Sequence, residues 1–396
     1  MILLPLSSAL ADYSVTTDFP GGNAMIEQSG EDTIRITPDL RDTTTAWFYW
    51  YVAVKGAEGK TLHFEVQRVA GESSMGARGP GVSVDGGKTW KWLGSDAFKE
   101  DDKKAEFSYT FGPQDKDVRF SVGMPYVPEN LTQFLSAHEG NPFLQQKVLT
   151  KSSKGRDVPL LIFSNPARKA PYTVAITARN HACEMMGSYV LEGIMEGILA
   201  EDAQGKWLRD NVDFFVVPFA DYDGVADGDQ GKNRAPHDHN RDYGDETIYP
   251  EIAAIKAQLP AWSAGRPLVF FDLHDPALKG EYFETLFFLE NLNESLNAPL
   301  ERFVSLVERD GQGLIRVSPN MIMKHGTGYN KKTSEDGPPL HASGWAGQLP
   351  NAILSTTVEL AYANVSGYEV TAESARELGR DMAWALVPFL QESKKP

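Results

Sequence analysis

Five apolar runs with almost no polar interruption lie in the later two thirds of the chain: YTVAITA (172–178), VDFFVVPF (212–219), LVFFDLH (268–274), TLFFLEN (285–291) and AILSTTVEL (352–360). A strand with one wet face alternates apolar and polar residues; a strand covered on both faces does not. These runs therefore demand a sheet with a layer on either side. Helix-periodic stretches at 184–200, 248–259, 296–309 and 371–391 can supply the layers, the last with Thr371 as its N-cap. Strands alternating with helices predict an α/β domain, a mixed and largely parallel sheet flanked by helices.

The first third follows another rule. Between residues 12 and 123 the runs are short, alternating or aromatic: DTIRITPD, AWFYWYVAV, TLHFEVQRV, GVSVDGG, TWKWLG, AEFSYTFG and VRFSVGM, broken by Gly, Asp and Pro clusters. That spacing predicts an all-β sandwich preceding the α/β domain. The Pro-punctuated MPYVPENL (124–131) marks the boundary, giving domains 12–123 and 124–396. Within the sandwich, SVDGGKTW (83–90) has the form of an Asp-box hairpin; as a single copy it reads as a well-made turn rather than a glycan site. Residues 1–11, MILLPLSSALA, combine an apolar stretch with an Ala-Leu-Ala cleavage pattern but lack a basic start. They are expected to be the remnant of an export signal, with a mature start near Asp12 and a periplasmic or secreted location; without such a signal the location is cytoplasmic.

Charge and cysteine usage narrow the chemistry. A formal charge of −16 argues against nucleic acid or an anionic membrane as partner. A single cysteine, Cys183, excludes an intramolecular disulfide and any cysteine-rich zinc site.

In open α/β sheets, ligands bind outside the carboxyl ends of the strands. His181 follows the run 172–178, His274 ends 268–274, Glu359 lies near the end of 352–360, and Glu184 opens the helix after the first run. Two imidazoles and a carboxylate are the ligand set of an open catalytic zinc site with water in the fourth position. Zinc lowers the pKa of such a water to about 7, and an unligated carboxylate can then serve as base. His181, Glu184 and His274 are expected as ligands and Glu359 as the base. H-x-x-E alone is a weak pattern, and a strand-end histidine is usually just hydrogen-bonded; the joint placement carries the inference. Cys183, between two expected ligands, reads as a packing residue. The Gly-, Asp- and Arg-rich stretch 221–246 should be an irregular loop at the same sheet edge, where Arg234, Asn240 and Arg241 could serve a carboxylate and an oxyanion, or could simply pair with neighbouring aspartates.

H-x-x-E, then D-G-V with an arginine and D-x-N-R, then a strand-end histidine and a strand-borne glutamate: in this order the motifs resemble the M14 zinc carboxypeptidases. The entry VLTKSSKGRDVPLLIFSNP (148–166) also looks like that family's, and the preceding sandwich makes the chain most similar to the cytosolic-carboxypeptidase branch and its bacterial relatives. The resemblance spans nearly the whole chain from about residue 20. It implies one zinc on His181, Glu184 and His274, Glu359 as general base, and Arg234 as the stabiliser of the tetrahedral oxyanion. It implies Asn240 and Arg241 as the grip on a substrate's terminal carboxylate, and Asp238 as the carboxylate that orients the first histidine. Tyr329 is the best match for a substrate-side tyrosine. DYDG (221–224) departs from the usual Asn-Pro-Asp-Gly, and His237 and His239 read as structural or orienting residues rather than as a second metal site.

The expected function is zinc-dependent removal of C-terminal residues from peptides with a free terminal carboxylate. Alternatives are a zinc-dependent N-acyl amino acid deacylase, a peptidoglycan stem-peptide amidase, or a non-catalytic protein binding peptides or glycans; intact ligand and base positions argue against the last. The long segment 323–350 is expected to form a lid or specificity wall, where Lys324, Lys331 and Lys332 would suit an acidic side chain or be merely solvated.

Overall fold

In a computed structural model, residues 13–280, 282–331 and 341–393 are described. The apolar start at 1–11, Asp12, Lys332 and the rest of 332–340 lie outside the described residues.

The five dense runs become β3, β4, β5, β6 and β8 of an eight-stranded sheet, numbered in chain order: β1 (Leu144–Lys151), β2 (Asp157–Phe163), β3 (Tyr172–Ala178), β4 (Val212–Val217), β5 (Leu268–His274), β6 (Leu286–Leu289), β7 (Ile322–Met323) and β8 (Ala352–Leu360). Their spatial order is β1-β2-β4-β3-β5-β8-β6-β7. The middle four, β4, β3, β5 and β8, are parallel. Antiparallel pairs flank them at β1–β2, β2–β4 and β8–β6. The sheet is thus mixed with a parallel centre, and the strand expected at 285–291 is the one that runs against its neighbour β8.

Every residue of β3 and β5 is buried, and alternation sends them to two layers. Val174, Ile176, Val269 and Phe271 join a core with the helices α2 (Met186–Leu199), α6 (Asn297–Asp310) and α8 (Ala372–Glu392). Ala175, Phe270 and Phe215 join another with α5 (Pro250–Ser263) and α7 (Ala342–Ala346). The remaining helices are α1 (Pro128–Ala137), α3 (Ala203–Asn211) and α4 (Tyr222–Asp227). Thr371 caps α8, its side chain accepting from Ser374 N at 3.1 Å. Helices α2 and α8 touch backbone to backbone: a Cβ at Gly193 would lie 2.0 Å from the carbonyl oxygen of Arg376.

Before them, two five-stranded sheets face each other. One contains Tyr51–Lys55 and Asp117–Ser121, the other Thr61–Gln67 and Lys104–Thr110. Leu62, Phe64 and Val66 point inward from alternate positions, and Phe64 stacks on Phe107 at 4.7 Å beside Phe120. The SVDGGKTW stretch is a hairpin turn: Asp85 Oδ1 accepts from the amides of Lys88 and Thr89, both at 3.0 Å, while Gly86 and Gly87 take φ of 75° and 90°.

The connection at 124–131 begins in the interior and passes into the first turn of α1. Met124 and Tyr126 are buried, and Tyr126 Oη donates to Glu192 at 2.6 Å. The sandwich also reaches the loop after β4: Asn23 Nδ2 donates to the carbonyl of Gly228 at 2.7 Å, and Gln230 Oε1 accepts from Tyr49 N at 2.9 Å. Among the described residues, no helix is long and apolar enough to cross a membrane.

Candidate metal centre and cleft

Three strand ends lie level at the middle of the sheet. Ala178 of β3 stands in register with Leu273 of β5, and His274 of β5 with Glu359 of β8. Residues opposite each other on neighbouring strands project to the same face, so His274 and Glu359 point the same way. After β3 the chain turns sharply through Arg179, whose φ of 59° is unusual for a residue with a side chain. Its guanidinium pins that turn, donating to the carbonyls of Ala182 and Tyr126. The turn delivers His181 and Glu184 to the site.

The donors converge. His181 Nδ1 lies 2.8 Å from Glu184 Oε1, and His274 Nδ1 lies 2.5 Å from Glu184 Oε2. All three ligand atoms fall within 4.8 Å of one another, and all three residues are buried. Other carboxylates lie behind the far nitrogens, one close enough to hydrogen-bond. His181 Nε2 faces Asp238 Oδ1 at 3.4 Å, and His274 Nε2 meets Asp272 Oδ2 at 2.8 Å. Asp272 is fixed in turn by Thr177 and Asn180, each donating to Oδ1 at 2.7 Å. Backing of the second ring nitrogen leaves Nδ1 as the ligand atom of each histidine, and two imidazoles with one carboxylate suit zinc. The donor set fits a metal ion. Electrostatics agree: burial opposes the Glu184 charge, yet His181, Lys232 and His274 hold its pKa well below the usual carboxylate range. Burial likewise works against a charged His274, but Asp272 and Glu184 outweigh it and hold its pKa well above the usual imidazole value.

Beside the donors opens a cleft of about 320 Å³, lined by Glu359, Lys232, Arg241, Tyr329, His341 and Trp47 among others. Glu359 is buried, and its Oε2 has no hydrogen-bond partner. Burial raises its pKa above the ordinary carboxylate value, partly offset by His274. A carboxylate held this way is a poised proton acceptor. Arg241 is in no ion pair among the described residues; its Nη1 donates to the carbonyl of Asn240 at 3.3 Å. Asn240 is buried between His274 Nε2, 3.3 Å from its amide nitrogen, and Ala342 N, which donates to its oxygen at 3.2 Å. His341, next to Arg241, is pushed down to about 4 by burial and by that arginine's charge.

Comparison with known proteins agrees with this geometry. Residues 132–256 match the family model described as zinc carboxypeptidase, Peptidase_M14. Over these residues the chain is similar to the M14 zinc carboxypeptidases. It is 28% identical to cytosolic carboxypeptidase 2 of Danio rerio over 280 residues, 63% of this chain and 39% of that one. It is 27% identical to cytosolic carboxypeptidase 3 of Bos taurus over 297 residues, 67% of this chain and 29% of that one. The chain thus spans well under two thirds of the length of these relatives. Its fold matches a metallo-carboxypeptidase from Burkholderia cenocepacia with a TM-score of 0.77 at 22% identity, covering 96% of this chain and 100% of that one. It also matches a Pseudomonas aeruginosa metallo-carboxypeptidase, solved in complex with (2-guanidinoethylmercapto)succinic acid, with a TM-score of 0.76 at 21% identity and coverage of 96% and 99%. Zinc is the metal of this family.

Measured against what the M14 resemblance implies, the site residues divide. His181, Glu184, His274, Asp238, Asn240, Arg241, Tyr329 and Glu359 gather around the donors or line the cleft. Arg234 does not. Its Nε meets Asp42 at 3.0 Å, Nη1 meets Asp221 at 2.5 Å and Nη2 meets Asp229 at 3.1 Å, so every face of the guanidinium is engaged away from the cleft. The resemblance implies that it faces a developing oxyanion; in this structure its guanidinium faces three aspartates. Pairing with aspartates was the alternative open to it, and one of the three, Asp42, comes from the sandwich. His237 pairs with Asp242 at 2.6 Å, and His239 stacks on Tyr249 at 3.6 Å; both brace the loop. Cys183 is buried, accepts from Trp47 Nε1 at 3.1 Å, and has its thiol pushed up to about 12 by burial, so it packs. Lys331 lines the cleft and Lys324 does not. Sequence reasoning passed over Lys232, Asp272 and Trp47. Only Asp272 had a local signal, two residues before His274 on the same face of β5.

Proposed function

We propose that this chain is a zinc metallocarboxypeptidase that removes the C-terminal residue of peptides. The observation that carries the reading is the convergence of two imidazole nitrogens and a carboxylate beside Glu359, whose unpartnered oxygen is buried at the same cleft. A zinc ion on His181, Glu184 and His274 supplies Lewis acidity toward a carbonyl oxygen and toward water. Glu359 accepts the proton of the attacking water and returns it to the departing amine. Arg241, in no ion pair among the described residues, binds the substrate's terminal carboxylate together with Asn240, which fixes the bond to be cut next to the chain end. Asp238 and Asp272 orient the histidines. Tyr329, which lines the cleft and is 39% exposed, serves as the substrate-side tyrosine.

The test is mass spectrometry of a mixed pool of peptides and N-acyl amino acids after incubation with the zinc-loaded protein, repeated with a chelator and with Glu359→Gln. Loss of single C-terminal residues, abolished in both controls, is expected. Cleavage of the N-acyl compounds alone would move the chain to the deacylase reading, and no turnover of either would overturn both.

A further inference from the structure

With Arg234 committed to three aspartates, the loop after β4 still brings one ammonium to the donors. Lys232 has a side chain 12% exposed; its Nζ lies 2.9 Å from Glu184 Oε1 and 3.2 Å from His181 Nδ1, and it lines the same cleft as Glu359. The position is built. Gly231, with φ of 71°, packs against the turn that carries His181: a Cβ there would lie 2.1 Å from Ala182 N, so only glycine allows the approach. Asp42 accepts from the amides of Gln230 and Gly231 at 2.9 and 2.8 Å, and Gln230 is clamped by the backbone of Tyr49. The ring of Trp47 lies 5.2 Å from the ammonium, near enough for a cation–π attraction, and is itself anchored on Cys183. Asp42, Trp47 and Tyr49 all precede the α/β sheet in the chain, so the N-terminal part seats this lysine.

We propose that Lys232, seated by Trp47, is the catalytic cation that answers the negative charge developing on the scissile carbonyl oxygen, the duty the resemblance implies for Arg234. The proposal rests on the carboxypeptidase reading. As the water oxygen bonds to the carbonyl carbon, the π pair moves onto the carbonyl oxygen and Glu359 takes the water's proton. Collapse restores the carbonyl, breaks the C–N bond and passes that proton from Glu359 to the amine. Lys232 donates a hydrogen bond to the oxygen while it is charged and keeps its own proton throughout. A donor aimed at developing charge in a water-poor site is worth about 10²–10³ in kcat. Lysine suits the place because its ammonium rides a flexible stem, free to turn from Glu184 toward the cleft once Glu184 has a metal to ligate.

The experiment compares the zinc-loaded full chain with Lys232→Met, Lys232→Gln and Trp47→Leu. Zinc affinity is read by chelator competition, kcat and KM on a cleaved peptide, and binding of a phosphinate peptide analogue by calorimetry. Both lysine variants are expected to keep zinc affinity and KM within a few-fold of the parent while kcat and phosphinate affinity fall together by about 10²-fold or more. Trp47→Leu should move the same two quantities by about 10-fold. Unchanged phosphinate affinity in a folded lysine variant overturns the proposal, as does loss of zinc affinity in step with kcat, which would make Lys232 a brace for Glu184. A parent that cleaves no peptide and binds no phosphinate removes the carboxypeptidase reading as well; an active parent with unimpaired lysine variants removes this proposal alone.

Discussion

The two flanks of the cleft are built on different principles. On the strand flank, sheet register sets His274 beside Glu359 and brings the turn after β3 alongside. Backbone hydrogen bonds do this positioning, and the donors are adjacent to regular strands. On the loop flank, which runs through Lys232, Arg234, Asn240 and Arg241, no register exists. Each cation there is sorted by the acids that happen to reach it. Arg234 meets Asp42, Asp221 and Asp229 and is spent on structure; Arg241, seven residues later, is in no ion pair among the described residues and lines the cleft. Two arginines of one loop thus differ in surroundings: one meets three aspartates, the farthest of them 192 positions away in the chain, and the other lines the cleft.

The largest test of this contrast is Glu359→Gln. It deletes a proton acceptor from the strand flank without removing a partnered group, since Oε2 has none. Turnover should drop by about 10³-fold with zinc content and melting temperature little changed. Rate assays, metal analysis and calorimetry read the three quantities. A fall in melting temperature as large as that of the loop-flank variant below would erase the distinction.

Arg234→Met is the counterpart. Removing the guanidinium leaves three carboxylates facing one another around a mostly buried site, at a cost of about 3 kcal/mol. The melting temperature should fall by roughly 5 °C. If scanning calorimetry finds no shift, the aspartate cage is not holding the loop.

Asp272→Asn sharpens the comparison from the strand side. The amide keeps the size but not the charge that faces His274 Nε2, so zinc affinity should weaken by about 10–100-fold in a chelator competition. Asp238→Asn should act in the same direction through His181. Equal affinities in parent and variants would show that the histidines need no carboxylate behind them.

The same division explains what the sequence discloses. The strands 172–178, 268–274 and 352–360 are found where the apolar runs place them, because burial on both faces leaves an unbroken apolar signature. The metal donors were legible for the same reason, being attached to those strands. The antiparallel direction of β6 was not, since an apolar run carries no sense of direction. In the first third, AWFYWYVAV reads as one strand, but the strand begins only at Tyr51, and Trp47 turns instead to the cleft, where it meets Lys232 and Cys183. On the loop flank, neighbours in the sequence say little about neighbours in space: Asp42 is remote in the chain from both Gly231 and Arg234, and nothing local marks Lys232 as the residue that reaches the metal donors.

The smallest expected effect probes how the loop is backed from behind. Glu251, in the first turn of α5, is buried with Oε2 unpartnered, 3.9 Å from His239 Nε2. Burial, with Asp221 and Asp223 nearby, raises its pKa to about 7. In the unfolded chain a glutamate titrates near 4.3. The folded state therefore prefers the proton: the stability tied to this preference is fully present below the unfolded value and is lost as pH rises through about 7. Glu251→Gln keeps the neutral form at every pH. Relative to the parent it should gain about 1–2 kcal/mol between pH 5 and pH 8, after allowance for solvent screening. Urea melts at the two pH values measure it. Equal pH slopes in parent and variant would mean that Glu251 is charged in the folded chain and that His239, not a proton, satisfies it.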